Sequence, residues 1–245
     1  MFPETYLIFF FHSFVDSCLD CVNCESGDEQ YCQKIQTRTY NGVKKHGRVG
    51  GNQTTKTMGG YSASNTVHED FIIKVPSSMD LQRTAPLVCA GVTMYSPLKH
   101  WGATSNVKMT IGIIGIGMLI YIINLVFIIL SLLEIVYAGG LGTMGIKLAK
   151  AFGNDVMAIS TSAKKEALAK EKGATMFACS KDQDSMKANA GKCDLILNTV
   201  SAEHNINDYI PLLAKGRSST IIQIGGAMTP HKVSQFQLMV CTIYY

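Results

Sequence analysis

Two groups of residues in this 245-residue chain have types and spacings that can do chemistry. The first is Cys18, Cys21, Cys24 and Cys32, in the run CLDCVNCESGDEQYC. Short spacings let successive thiolates converge on one ion, and four thiolates close a tetrahedral zinc site. A closed four-sulfur shell leaves no position for substrate, so its role is structural. The alternative is a set of free thiols or disulfides. The second group is split. Residues 107–117 read VKMTIGIIGIG and residues 140–153 read GLGTMGIKLAKAFG. Joined directly, they give an apolar strand, the turn Gly115-Ile116-Gly117-Gly140-Leu141-Gly142 and an amphipathic helix. That is the fingerprint of a dinucleotide-binding βα turn.

The residue types follow from the chemistry. The first glycine permits the tight turn, the second lets the backbone approach a pyrophosphate, and the third lets the helix pack close to the sheet. The helix N-terminus then presents free N–H groups and a positive dipole end to the phosphates. Met144, Leu148 and Phe152 are expected to form the buried face of that helix. An NAD site usually carries an acidic residue at the end of the second strand. Here that strand runs into Ser160, Thr161, Ser162, Ala163, Lys164 and Lys165, small hydroxyls and two cations that suit a 2′-phosphate and favour NADP. The plainer account is that Lys164 and Lys165 form the solvated first turn of a helix.

The elements that must hold these groups read as follows. Residues 33–80 are rich in turns, with short β runs at 61–67 and 71–75, as in a small barrel-like domain. His68, followed by Glu69 and Asp70, reads as a turn-edge histidine rather than a metal or acid–base site. Residues 81–98 have helical spacing, with Ala85, Val88, Val92 and Tyr95 near one face and Cys89 as a buried helix cysteine. Past the glycine turn, strands are expected at 155–160, 176–178, 195–198 and 220–224, and helices at 164–172, 183–190 and 206–213. This alternation argues for a Rossmann-type, doubly wound parallel α/β sheet.

Composition sets outer limits. The chain is 47% hydrophobic and 16% charged, with a formal charge of +4 and no basic stripe interleaved with aromatics, which argues against nucleic-acid binding. Eight cysteines, four of them crowded into one short run, fit a reducing, cytoplasmic setting better than a secreted disulfide scaffold. The apolar start, MFPETYLIFFFHSF, lacks a basic n-region and a small-residue cleavage site and does not read as a signal peptide.

Several separated motifs together resemble the zinc-containing medium-chain alcohol dehydrogenases, in particular their NADP-dependent, cinnamyl-alcohol-dehydrogenase-like subgroup. They are ESGDEQYC, GGYSASNTVHEDFIIKVP, APLVCAGVTMYSPLKHWG and the split GIGGLG. The resemblance runs from about residue 15 to 240, leaving 1–14 and 241–245 unmatched. It implies part of a GroES-like β domain with its zinc lobe (15–80) and an NADP-binding Rossmann domain (81–240). It also implies a homodimer acting on a primary, aromatic or similar alcohol or aldehyde. Carried over by motif, Cys18, Cys21, Cys24 and Cys32 match structural-zinc ligands and Cys89 a catalytic-zinc ligand. Thr93 matches a nicotinamide-side contact, and Gly115, Gly117, Gly140, Leu141 and Gly142 match the pyrophosphate turn. Ser160 to Lys165 match the 2′-phosphate loop, and Thr199 and Gly225 match later cofactor contacts. The family's first catalytic cysteine and its His-Glu pair precede the four-cysteine lobe, where unrelated residues stand here. The expectation is a chain without turnover, because one thiolate does not hold a catalytic zinc. A catalytically dead NADP-binding or membrane-tethered zinc-lobe protein is the competing function.

The resemblance resumes in register when residues 118–139 are removed. Their composition is what an A/T-rich intron yields when read as protein, which makes a retained intron the leading account. A single membrane span over residues 111–138 is the rival. A third reading takes Gly140-x-Gly142-x-x-Gly145 as the motif. Residues 128–137 then supply a replacement strand, and the original strand becomes a bulged-out hairpin.

Overall fold

The computed structural model describes residues 14–44, 56–59, 61–62, 67–73, 75–116, 140–215, 219–226, 230–234 and 242–244. The chain divides into two compact units, Met1–Cys89 and Ala90–Tyr245.

In the first unit, β1 (Phe14–Asp16) pairs antiparallel with β2 (Thr37–Arg38), and β3 (Tyr40–Val43) with β4 (Lys56–Met58). The short helix α1 (Val22–Glu25) lies within the cysteine run. Phe14 meets Phe71 edge-on, their ring centres 5.1 Å apart. Strands were expected at 61–67 and 71–75. Instead Phe71 closes a 3-10 turn, Glu69–Phe71, capped by His68, while residues 63–66 and 74 lie outside the described set. A histidine whose Nδ1 accepts from the Asp70 N–H at 3.4 Å favours a turn over an extended run.

The expected helix over 81–98 is broken. It begins as α2 (Leu81–Thr84), tightens to a 3-10 turn at Ala85–Val88, and restarts in the second unit as α3 (Ala90–His100). Pro86 opens the middle turn, and the break at Cys89 resets the helical register. The buried face of α3 is therefore Gly91, Met94 and Leu98, whereas Val92 and Tyr95 are 53% and 39% exposed. Cys89 is exposed, not buried.

The second unit is a six-stranded sheet. Its strands are β5 (Thr110–Ile114), β6 (Asp155–Ser160), β7 (Met176–Cys179), β8 (Leu195–Asn198), β9 (Thr220–Gln223) and β10 (Thr242–Tyr244). They lie in the order β10-β9-β8-β5-β6-β7, and every pairing is parallel. This is the doubly wound Rossmann order, with the switch at β5 between β6 and β8. Covered on both faces, the central strands are largely apolar: all four residues of β8 are buried, with Asn198 the polar residue at its end. One face packs Ile111, Ile113, Leu195 and Leu197 with Met94 and Ile146, and the other packs Met157, Ile159 and Ile196 with Ile206 and Leu212.

The helix after the glycine turn is α4 (Gly140–Ala151). Its buried positions are Gly142, Gly145, Ile146 and Ala149, while Met144, Leu148 and Phe152 pack at the flanks half-buried. The small residues face inward because the approach is close: a Cβ on Gly145 would lie 2.5 Å from Met94 Cε and 3.2 Å from Ile113 Cδ1. Farther on, a 3-10 turn (Ala163–Lys165) leads into α5 (Glu166–Glu171), and α6 spans Gln183–Ala188. The helix expected at 206–213 is two 3-10 turns, Ile206–Asp208 and Ile210–Leu212, because Pro211 withholds the N–H a continuing helix needs.

Two readings of the apolar segment are corrected here. A span over 111–138 would need residues 111–114 in a membrane helix, but they lie in β5, paired with β6 and β8. The same pairing rules out a bulged-out original strand. Among the described residues no helix is long and apolar enough to cross a membrane. Residues 118–139 themselves, with the intron reading and any narrower span, lie outside the described set, as does Gly117.

Candidate functional site

The first unit gathers four buried thiols. Cys18, Cys21, Cys24 and Cys32 are each at most 7% exposed, and their sulfurs all lie within 4.8 Å of one another. Individual separations are 3.4 Å (Cys21–Cys24), 3.5 Å (Cys18–Cys32) and 3.8 Å (Cys18–Cys24). A tetrahedron with zinc–sulfur bonds of about 2.3 Å has sulfur–sulfur edges of about 3.8 Å, so this cage fits the ion. The backbone makes the thiolates less costly. N–H groups of Cys24 and then Gln33 bring the Cys21 thiol down to about 6, against its own desolvation. Burial acts oppositely on Cys18, pushing it up. No second group of three or more ligand-type side chains occurs among the described residues. Cys89 stands exposed between its 3-10 turn and α3, and the described residues do not by themselves complete a catalytic zinc shell around it.

In the second unit the C-terminal ends of three strands converge. The Gly115 N–H donates to Ile159 O at 3.2 Å, which brings the glycine turn beside Ser160. From the other side, the Thr199 hydroxyl donates to Ile114 O at 2.7 Å, with Gly115 O at 3.3 Å. Gly115 has φ +100°, and a Cβ there would lie 2.6 Å from Thr199 Oγ1, so only glycine fits. A Cβ on Gly142 would lie 2.5 Å from Gly115 O. This is the backbone-to-backbone approach that the third glycine of a phosphate turn supplies, and it occurs across the interruption. Gly140 opens α4 exposed, and Leu141 follows half-buried. The expected residues Gly115, Gly140, Leu141, Gly142, Ser160 and Thr199 are thus assembled on one rim of the sheet. This is the crevice outside the strand ends at the switch point, where open α/β sheets take ligands.

Ser160 is buried, and its hydroxyl accepts from the Ser162 N–H at 3.4 Å, which shapes the loop. Thr161 and Lys164 are exposed, while Ser162 and Lys165 are half-buried. Burial pulls the Lys165 ammonium below its usual range, so a nearby anion would be gained favourably. Thr93 lies half-buried on α3. Gly225 is buried against the Val200 carbonyl and donates its N–H to Asn198 O at 3.0 Å.

Several residues escaped the sequence reading. Thr143, in the first turn of α4, keeps a buried hydroxyl without a partner among the described residues, as a donor awaiting a phosphate oxygen would. Asn198 and Gln223, register partners on β8 and β9, join through Asn198 Nδ2 donating to Gln223 Oε1 at 2.6 Å. His204 closes on the same amide at 2.7 Å. Their only sequence signal was a polar residue ending each of two apolar strands.

Comparison with known proteins agrees with this geometry. Residues 140–244 match the family model described as zinc-binding dehydrogenase. The NADP-dependent alcohol dehydrogenase C of Mycobacterium bovis is 37% identical over 225 residues, 92% of this chain and 56% of that protein. A cinnamyl alcohol dehydrogenase structure from Sorghum bicolor superposes with TM-score 0.76 at 35% identity, covering 94% of this chain and 57% of that one. The Helicobacter pylori enzyme complexed with NADP(H) gives TM-score 0.72 at 26% identity, with coverages of 95% and 58%. The chain therefore spans about half the length of the relatives it matches. With the four-thiol cage, the Rossmann order and the glycine turn in place, this chain is similar over nine-tenths of its length to zinc-binding, medium-chain alcohol dehydrogenases.

Proposed function

We propose that this chain carries the NADP-binding and structural-zinc parts of an alcohol/aldehyde oxidoreductase acting on a primary, aromatic or similar substrate. The observation that carries the reading is the closure of the phosphate turn, Gly142 against Gly115 O, with Ser160 to Lys165 on the same rim. Gly115, Gly140, Leu141, Gly142 and the Thr143 hydroxyl would cradle the pyrophosphate. Ser160, Thr161, Ser162, Lys164 and Lys165 would take the 2′-phosphate, and Thr93, Thr199 and Gly225 would line the remainder. Bound NADP(H) supplies hydride-transfer chemistry; the chain supplies binding and orientation. Cys18, Cys21, Cys24 and Cys32 would hold a zinc that ties the lobe together without touching substrate. A homodimer and a cytoplasmic setting belong to the same proposal. NADPH fluorescence titration of the purified chain tests it: binding tighter than that of NADH supports the reading, and no binding of either cofactor overturns it.

A second reading, NADP binding without turnover, draws on Cys89, which is exposed and outside the one ligand-rich group among the described residues. Zinc analysis with an alcohol-oxidation assay separates the two. Two zinc ions per chain and NADP reduction favour the enzyme, and one zinc without reduction favours the binding protein.

A further inference from the structure

Beside the cofactor rim lies a hydrogen-bonded chain of side chains to which no role has been assigned. Asn198, wholly buried at the end of β8, uses all three of its side-chain bonds. Its Nδ2 donates to Gln223 Oε1 at 2.6 Å and meets His204 Nε2 at 2.7 Å, and its Oδ1 accepts from the Val200 N–H at 3.2 Å. Gln223 in turn donates Nε2 to Gly225 O at 2.5 Å, with Val200 O at 3.4 Å. The Asn198 carbonyl accepts from both Ile224 and Gly225 N–H groups, at 2.8 and 3.0 Å. The segments that follow β8 and β9, which carry Thr199 and Gly225, are thereby laced together.

The histidine's state follows from its partners. His204 Nδ1 lies 2.7 Å from Ala202 O. A carbonyl only accepts, so Nδ1 carries the proton, and Nε2 must accept from the Asn198 amide. Both hydrogens of that amide are then used, and the network closes only around a neutral His204. A proton on Nε2 would set two donors face to face. Flipping the amide to relieve this would point its NH2 at the Val200 N–H and strip Gln223 of its donor. The groups facing His204 are the His231 ring at 4.8 Å and the Tyr209 ring at 5.9 Å. Its charged chain neighbours are Glu203, and Asp208 in the following turn, while Lys232 adjoins His231. His231 Nε2 is buried without a partner among the described residues and so makes no hydrogen bond to His204.

We propose that His204 is a positioning residue for the dinucleotide site, acting through Asn198 and Gln223 to hold the Thr199 and Gly225 segments in their binding geometry. This rests on the NADP-binding reading above. A second proton on the His204 ring sets two donors face to face and opens the clamp, so cofactor affinity falls on acidification.

The test compares the full chain with its His204→Gln and His204→Leu variants. NADPH affinity is measured by fluorescence at pH 8 and pH 5.5, and amide exchange by mass spectrometry at pH 8. Glutamine keeps an acceptor for the Asn198 amide and cannot be protonated in this range; leucine offers nothing. Loss of one such hydrogen bond predicts about a tenfold effect. The His204→Leu variant should bind about tenfold more weakly at pH 8. The unmodified chain should weaken by about tenfold more than His204→Gln on acidification. The 2′-phosphate also takes up a proton in this range, but equally in every variant, so the difference between variants decides. Exchange at Val200, Ile224 and Gly225 should speed up in His204→Leu and stay slow in His204→Gln. Equal acid weakening of the unmodified chain and His204→Gln overturns the proposal, as does unchanged exchange in His204→Leu. If no variant binds NADPH, the reading of the site fails, and the exchange rates, which need no cofactor, still decide whether His204 holds the clamp.

Discussion

A Cβ built on Gly142 would sit 2.5 Å from the carbonyl oxygen of Gly115, although residues 117–139 intervene in the chain between them. The obstacle is backbone rather than a flexible side chain, so it cannot give way cheaply. Gly142→Ala should therefore destabilise the nucleotide unit by about 1–3 kcal/mol in urea unfolding and weaken NADPH binding with it. Gly140 is the control: a Cβ there meets nothing within 4 Å, and at a helical position Gly140→Ala should be neutral or stabilising by up to about 1 kcal/mol.

Zinc removal should act on the first unit. The four sulfurs are placed for one ion, and a closed thiolate site contributes its binding energy to folding. Cys24→Ser, or treatment with a strong chelator, should release one zinc per chain and lower the melting temperature. Elemental analysis with a thermal melt checks both; a zinc content unchanged by the substitution would contradict the assignment.

Lys164 and Lys165 should set cofactor choice. A charge-assisted hydrogen bond to phosphate is worth about 1.5–3 kcal/mol. Lys164→Ala with Lys165→Ala should then lower NADPH affinity by at least about tenfold and leave NADH affinity nearly unchanged. Parallel fluorescence titrations with the two cofactors measure the ratio.

The remaining thiols should divide by reactivity. Cys193 is fully buried, and desolvation, followed by the Asp194 charge, pushes its thiol up to about 12. Cys89 is exposed. At pH 8 iodoacetamide should modify Cys89 readily and Cys193 far more slowly, because burial keeps the Cys193 thiol neutral and out of reach of the reagent. The sign for stability follows. A raised thiol is neutral in the fold and ionises near 9 when unfolded, so its contribution is intact below about pH 9 and is lost as pH climbs toward 12.

Asn154 should prove a structural keystone of the nucleotide unit. Only 2% exposed, it donates to Ala103 O at 2.6 Å and accepts from the Met109 N–H at 3.0 Å, fixing the approach to β5. Asn154→Ala would strand both backbone groups and cost about 2–4 kcal/mol in urea unfolding, with little change in the zinc content of the chain.

What could be read from the sequence, and what could not, follows from the range of the interactions involved. The β6 run DVMAIS and the β8 run LILN announce themselves, because strands buried on both faces carry near-continuous apolar runs, here VMAI and LIL, with polar residues only at their ends. The glycine turn was legible despite its interruption, because each glycine answers a local steric demand. The face of α3 was misjudged because a helix restarted at Cys89, and a one-residue break rotates every later side chain. The strand expected at 71–75 gave way at its start to the turn that His68 caps, while most of the run expected at 61–67 lies outside the described residues. The Asn198, Gln223 and His204 clamp was invisible, since it depends on β8–β9 register across residues far apart in the chain.

The central strand has a further consequence in polymer terms. β5 is hydrogen-bonded on both flanks before the chain reaches residue 117, and α4 is seated from Gly140. The two ends of the connection are thus fixed by partners that do not include it. Closing a flexible connection costs only about 0.6 kcal/mol more for each doubling of its length. The tolerance of this sheet for added chain at this point is therefore set by topology, because the strand and the helix are each seated before the connection is counted.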